Sequence, residues 1–184
     1  MKLGLYRLAL SGAFAGALAL TSGVARADVS SWFYTGFGPG FLGGESARSR
    51  AVLELETGLG SPPAAFVVGG VFRTQTFFKE GTDLALLLRG ATRGYVQGGF
   101  GLALDVGAFQ RFWGVSSTGP TATLGFGGPW GVTLRASGGV GTHGERFAVA
   151  TLGFDFARLT VYRTHGTNWF MNPFATDEQG RGPR

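Results

Sequence analysis

With 184 residues, 34 glycines, 17 phenylalanines and no cysteine, the chain has the length of a single domain and too much glycine for a helical bundle. Lacking cysteine, it can form no disulfide, no thiolate metal site and no cysteine-linked lipid anchor. The formal charge of +5 is weighted to the start, where Lys2, Arg7 and Arg26 lie; the other 13 basic residues face 11 acidic ones and make no concentrated basic face of the kind nucleic acid requires.

Residues 1–27 carry a basic start, an uncharged run from Leu8 to Val24, and the small-residue ending Ala25-Arg26-Ala27 before Asp28. This order of regions predicts a secretory signal peptide cleaved after Ala27. The strongly apolar part ends near Leu20, short of the roughly 20 residues a spanning helix needs.

From Asp28 to about Arg163 the pattern is alternation with period two, in runs separated by glycine, proline and polar clusters, which predicts antiparallel strands. The runs are Trp32 to Phe41, Ala51 to Leu59, Phe66 to Thr76, Asp83 to Arg93, Val96 to Arg111, Thr121 to Phe126, Val132 to Gly138, Arg146 to Phe154 and Leu159 to Arg163. Tight turns are expected at residues 60–63, 127–129 and 155–158, with longer links around 43–49, 112–119 and 141–145, as in an up-and-down meander. Nine runs sit awkwardly with the even strand number of single-chain bacterial barrels. Asn168 to Phe174 offers a tenth strand, restricted by Pro173 to an edge or end, and omitting Trp32 to Phe41 gives eight.

Each run divides into an apolar and a polar face. Phe100, Leu102, Leu104 and Val106 oppose Gln97, Gly99, Gly101, Ala103, Asp105 and Gly107. Alternation alone does not say which face turns inward. Bulky Leu, Phe and Val on one face, with Gly and Ala among the charges of the other, suit a crowded polar interior and an apolar exterior. The polar face holds Glu54, Glu56, Asp83 and Asp105 with Arg73, Arg89, Arg93, Arg111 and Arg135, joined by Gln75 and Gln97. These are the residues expected to form a compensated network in the lumen. Aromatics at strand ends (Trp32-Phe33-Tyr34, Phe77-Phe78, Phe109 with Phe112 and Trp113, and Trp130) fit girdles at headgroup level.

The leader, the cysteine-free meander and this two-faced pattern resemble the small outer-membrane barrels of eight to ten strands, such as OmpA-type membrane domains. The resemblance implies an all-β fold, an antiparallel meander closed into a transmembrane barrel over residues 28–165, with 166–184 as a C-terminal segment. It implies outer-membrane lipid as the surroundings, a monomer, and a structural or interaction role with a filled or very narrow lumen. Those families end on a strand whose last residue is aromatic, whereas this sequence continues through Asp177 to Arg184. A soluble periplasmic barrel holding a small apolar ligand is the second reading.

One local pattern points to chemistry. Arg163-Thr164-His165-Gly166-Thr167-Asn168 is similar to the His-x-Ser-Asn signature of outer-membrane lipid A deacylases. Carried over, it makes His165 the base, Glu178 its orienter and Thr167 the hydroxyl where that family has serine. With two histidines and no cysteine, a transition-metal site is not expected at His143 or elsewhere. No cofactor is expected either: residues 36–40 and 138–141 are glycine-rich, but no helix follows to hold an anion.

Overall fold

The computed structural model describes residues 29–44, 47–97 and 99–160. Eight antiparallel strands follow one another around a closed barrel: β1 (Ser30–Gly43), β2 (Arg48–Gly60), β3 (Phe66–Phe77), β4 (Gly81–Thr92), β5 (Gly101–Arg111), β6 (Ser117–Gly127), β7 (Val132–Val140) and β8 (Arg146–Asp155). Every strand pairs with its sequence neighbours, and β1 meets β8 with Tyr34 opposite Asp155 and Gly43 opposite Arg146. Closure leaves no sheet edge exposed.

Eight strands enclose just enough space for side chains, and the alternation decides which ones. Leu102, Leu104 and Val106 point outward, keeping 51%, 54% and 49% of their surface, while Ala103 and Asp105 between them are buried. The same parity turns Leu55, Phe72, Leu86, Leu88, Leu134 and Leu152 outward and Glu54, Glu56, Arg73, Arg89 and Arg135 inward. Because the side-chain period is two, slipping any strand by one residue would exchange the faces.

Trp32 to Phe41 is a strand, and the run that drops out is the ninth. Phe156–Thr160 is a short helix, α2, where a turn and then a strand were expected. The cause is Asp155, whose Oδ1 accepts the backbone N–H of Ala157 at 3.0 Å and of Arg158 at 3.3 Å. That cap satisfies amides a strand would have paired and starts a helical turn. Val161 to Arg163, the 166–184 segment and the leader lie outside the described residues.

The second departure is at Val96. Arg93–Val96 forms a one-turn helix, α1, and β5 begins only at Gly101. The expectation of short turns at one end and longer links at the other also fails. Connections 61–65, 93–100 and 128–131 share one end with both termini of the described chain, and 44–47, 78–80, 112–116 and 141–145 lie at the other. The longest of them, 93–100, thus stands among the expected tight turns. It is long because it folds into the mouth of the barrel, burying Tyr95 and Val96 completely.

Candidate functional site: the filled lumen

The interior is built in three tiers. At the rim away from the termini, Asp83 of β4 stands opposite Arg111 of β5 in the strand register. Arg111 Nη2 donates to Asp83 Oδ2 at 2.7 Å and its Nε to Oδ1 at 3.1 Å. The same guanidinium lies 4.2 Å from the centre of the Trp113 ring and within 6 Å of Phe77, Phe109 and Phe147. Phe147 meets both Phe77 and Phe109 edge-on, so an aromatic stopper surrounds the ion pair and closes this end.

The middle tier is a charge network. Arg89 of β4 faces Asp105 of β5 in register and grips both its oxygens at 2.7 Å, the bidentate geometry that a planar guanidinium favours. Arg89 also donates to Glu56. From across the lumen, Arg135 of β7 donates to Glu56 Oε1 at 2.6 Å and to Asp105 Oδ2 at 2.5 Å, with its Nε 3.0 Å from Glu54 Oε1. Gln75 donates from Nε2 to Glu54 at 2.9 Å and Ser137 at 2.8 Å. Arg73, opposite Glu56 in the ladder, instead reaches the hydroxyls of Thr121 and Thr123. The Arg89 and Arg135 guanidiniums stack 5.0 Å from Trp32 and 5.2 Å from Tyr34.

The third tier seals the mouth beside the termini. Arg158 of α2 donates to Thr133 Oγ1 at 3.0 Å, to the Gly99 carbonyl at 2.7 Å and to the Gly128 carbonyl at 2.9 Å, and its guanidinium lies 5.0 Å from the Tyr95 ring centre. Burial pushes the Tyr95 phenol up from its ordinary range and the Arg158 guanidinium down from its own. Gly127 makes room for the clamp, since a Cβ there would fall 2.3 Å from Arg158 Nη1.

Among the described residues, five buried carboxylates (Glu54, Glu56, Asp83, Asp105, Asp155) meet five buried guanidiniums (Arg73, Arg89, Arg111, Arg135, Arg158). An isolated charge in such a space costs several kcal/mol; here Arg89, Arg111 and Arg135 pair with Glu54, Glu56, Asp83 and Asp105, Arg73 and Arg158 donate to hydroxyls and carbonyls, and Asp155 accepts from backbone amides.

Of the residues expected in the lumen, the structure brings together Glu54, Glu56, Arg73, Gln75, Asp83, Arg89, Asp105, Arg111 and Arg135. Arg93 and Gln97 are elsewhere. Arg93 is exposed at the mouth, where its Nε donates to Gln97 Oε1 at 2.9 Å, because α1 breaks the alternation that would have turned both inward. His165, Thr167 and Glu178 lie outside the described residues.

Sequence reasoning missed Trp32, Tyr34, Tyr95, Asp155 and Arg158. Trp32, Tyr34, Phe77 and Phe109, taken for girdle aromatics, point inward, while Phe33, Phe78 and Phe112 point outward. The signal was available, for adjacent residues in a strand take opposite faces. Tyr95 and Arg158 carried none, since both sit in breaks of the pattern.

A serine, a histidine and a carboxylate also meet at the far rim. Ser117 Oγ donates to Glu145 Oε2 at 3.0 Å and accepts from the Thr142 amide at 3.1 Å, and His143 Nδ1 is 3.9 Å from Glu145 Oε1. A nucleophilic serine gives its proton to a histidine, whereas this one gives it to the carboxylate, so the cluster closes the β7–β8 turn. Desolvation opposes ionisation of Glu145, but its own backbone amide and the Ser117 hydroxyl prevail and hold the carboxyl below the usual carboxylate range. Among the described residues no three His, Cys, Asp or Glu side chains gather as metal ligands. No family model matches this chain, and neither a search of curated proteins nor one of solved structures finds a match.

Proposed function

We propose that the protein is a small outer-membrane β-barrel with a structural or interaction role, exported through its N-terminal leader, monomeric, and too full of side chains to conduct. The observation that carries this reading is the outer surface. Between the rims, the outward-facing strand positions among the described residues bear no charge and are Leu, Phe, Val, Ala, Gly, Pro, Thr and Ser; the exposed charges of the strands, Arg48, Arg50 and Arg146, and the polar Gln110 stand at one rim. Large apolar side chains face outward on all eight strands. In water such a continuous band exceeds the apolar patches that monomers tolerate, whereas in a bilayer each side chain gains its transfer free energy against lipid tails. The strands, 9 to 14 residues long, match the roughly 9–11 residues a tilted strand needs to cross.

The filled lumen supports the non-conducting part of that reading. Glu54, Glu56, Asp83 and Asp105 are paired with Arg89, Arg111 and Arg135, and among the described residues side chains fill both mouths. The test is recovery of the protein from cells. It should sediment with outer membranes, and unheated samples should migrate differently from boiled ones on a denaturing gel. A protein freely soluble in a periplasmic extract would refute the reading and favour the soluble barrel.

A further inference from the structure

The rim opposite the chain termini carries cations that neither the lumen network nor the apolar band uses. Arg48 and Arg50, at the start of β2, converge on one oxygen of Glu80: Arg48 Nη1 lies 3.2 Å from Oε1, and Arg50 Nη2 and Nε lie 2.8 Å and 3.0 Å from it. One carboxylate therefore sets two guanidiniums side by side without neutralising both. Lys79 is next to Glu80 in the β3–β4 turn and holds φ at +67°, a left-handed conformation in which glycine or asparagine is the favoured residue. The turn thus carries an exposed cation where its backbone prefers another residue. Arg146 stands opposite Gly43 and Arg48 opposite Leu42, so the two arginines flank the end of β1; of the other carboxylates described at this rim, Asp83 is held by Arg111 and Glu145 by Ser117.

Below these cations the outer surface is apolar and shaped. Phe37 and Phe78 meet edge-on with ring centres 6.0 Å apart. Beside them runs a shallow groove of about 330 Å³, lined by Phe37, Gly38, Pro39, Ser49, Arg50 and Ala51. At the opposite mouth the described residues expose a single charge, Arg93, already bonded to Gln97.

We propose that this rim binds a phosphate-bearing anionic lipid, its phosphate held by Arg48, Arg50 and Lys79 and an acyl chain lying in the groove beside Phe37 and Phe78. Guanidinium pairs match phosphate oxygens in charge and geometry, and an apolar groove directly beneath a cationic cluster is complementary to a lipid rather than to a free anion. The assignment rests on the membrane reading above and names the lipid that reading leaves open.

The experiment reconstitutes the full chain into vesicles of phosphatidylcholine alone and of phosphatidylcholine mixed with phosphatidylglycerol. Heat-modifiable migration reports insertion, and native mass spectrometry after mild detergent extraction reports retained lipid. Wild type should insert into both and retain phosphatidylglycerol over phosphatidylcholine by about tenfold or more, given the attraction of several basic side chains near an anionic headgroup. The triple variant R48Q/R50Q/K79Q should insert equally well and lose that preference, while R93Q keeps it. Added inorganic phosphate should leave the bound lipid in place. Equal retention by wild type and the triple variant, with insertion intact, overturns the lipid site and leaves the barrel standing. Displacement by inorganic phosphate overturns the lipid assignment in favour of a free anion, and failure to insert into either vesicle overturns both readings.

Discussion

Arg135 of β7 donates to Glu56 of β2 at 2.6 Å, an ion pair across the lumen between strands that share no ladder. Arg135 also meets Glu54 and Asp105. It therefore holds three carboxylates, of which Glu56 and Asp105 also pair with Arg89, while Glu54 has Arg135 as its ion-pair partner among the described residues.

Replacing Arg135 with Met should consequently be costly. Leaving buried carboxylates without a partner costs about 3–5 kcal/mol, and a matching drop is expected in the free energy of urea-induced unfolding of the folded, reconstituted barrel. R135M/E56Q, which removes one charge of each sign, should recover a substantial part of that loss. A double variant as unstable as the single one would mean that shape, not charge balance, sets the cost.

The stopper at the terminus end predicts a contrast at Tyr95. Its hydroxyl has no hydrogen-bond partner among the described residues, while its ring lies against the guanidiniums of Arg89 and Arg158. Tyr95→Phe should be nearly neutral. Tyr95→Ala removes a buried aromatic ring and should cost about 3–5 kcal/mol, read by the same unfolding measurement.

Arg158→Ala should loosen the mouth rather than the barrel. It deletes bonds to Thr133, Gly99 and Gly128, together worth about 1–3 kcal/mol. Hydrogen exchange should accelerate for the Gln97 and Gly99 amides, which bond back to Arg93 and Gly94, and stay unchanged for amides in the middle of β4 and β5.

The far rim has an acid response of known sign. The folded Glu145 carboxyl is held below its unfolded value, so its ionised form supports the β7–β8 turn above a pH of ~4.3, and that support is lost as pH falls through the folded value. The Thr142 amide, bonded to Ser117, should shift in NMR spectra over that acid window in wild type and lose the response in Glu145→Gln.

Much of the lumen was legible because a barrel obeys one rule. Period-two alternation assigned Glu54, Glu56, Arg73, Gln75, Asp83, Arg89, Asp105, Arg111 and Arg135 to one face, and the β4–β5 register then sets Asp83 opposite Arg111 and Arg89 opposite Asp105. The rule failed where the chain stops being extended. Arg93 and Gln97 kept the right parity but lie in α1 and the bend after it, and Leu159 and Thr160 read as strand but follow the Asp155 cap. The Asp155 cap is a local bond to the amides two and three residues on, and the buried Tyr95 acts through tertiary contacts; neither leaves a periodic trace. The Phe77-Phe78 pair shows the opposite case, where parity was sufficient and composition misled.

On the proposed reading, the apolar face meets lipid. Because the chain has no cysteine, single cysteines at Leu102, Ala103, Leu104, Asp105 and Val106 can each carry a nitroxide without further substitution. In reconstituted membranes, labels at 102, 104 and 106 should be accessible to oxygen, which partitions into bilayers, and shielded from a water-soluble nickel chelate, with 103 and 105 shielded from both. Ready access of the nickel chelate to position 104, at the middle of the band, would contradict the account.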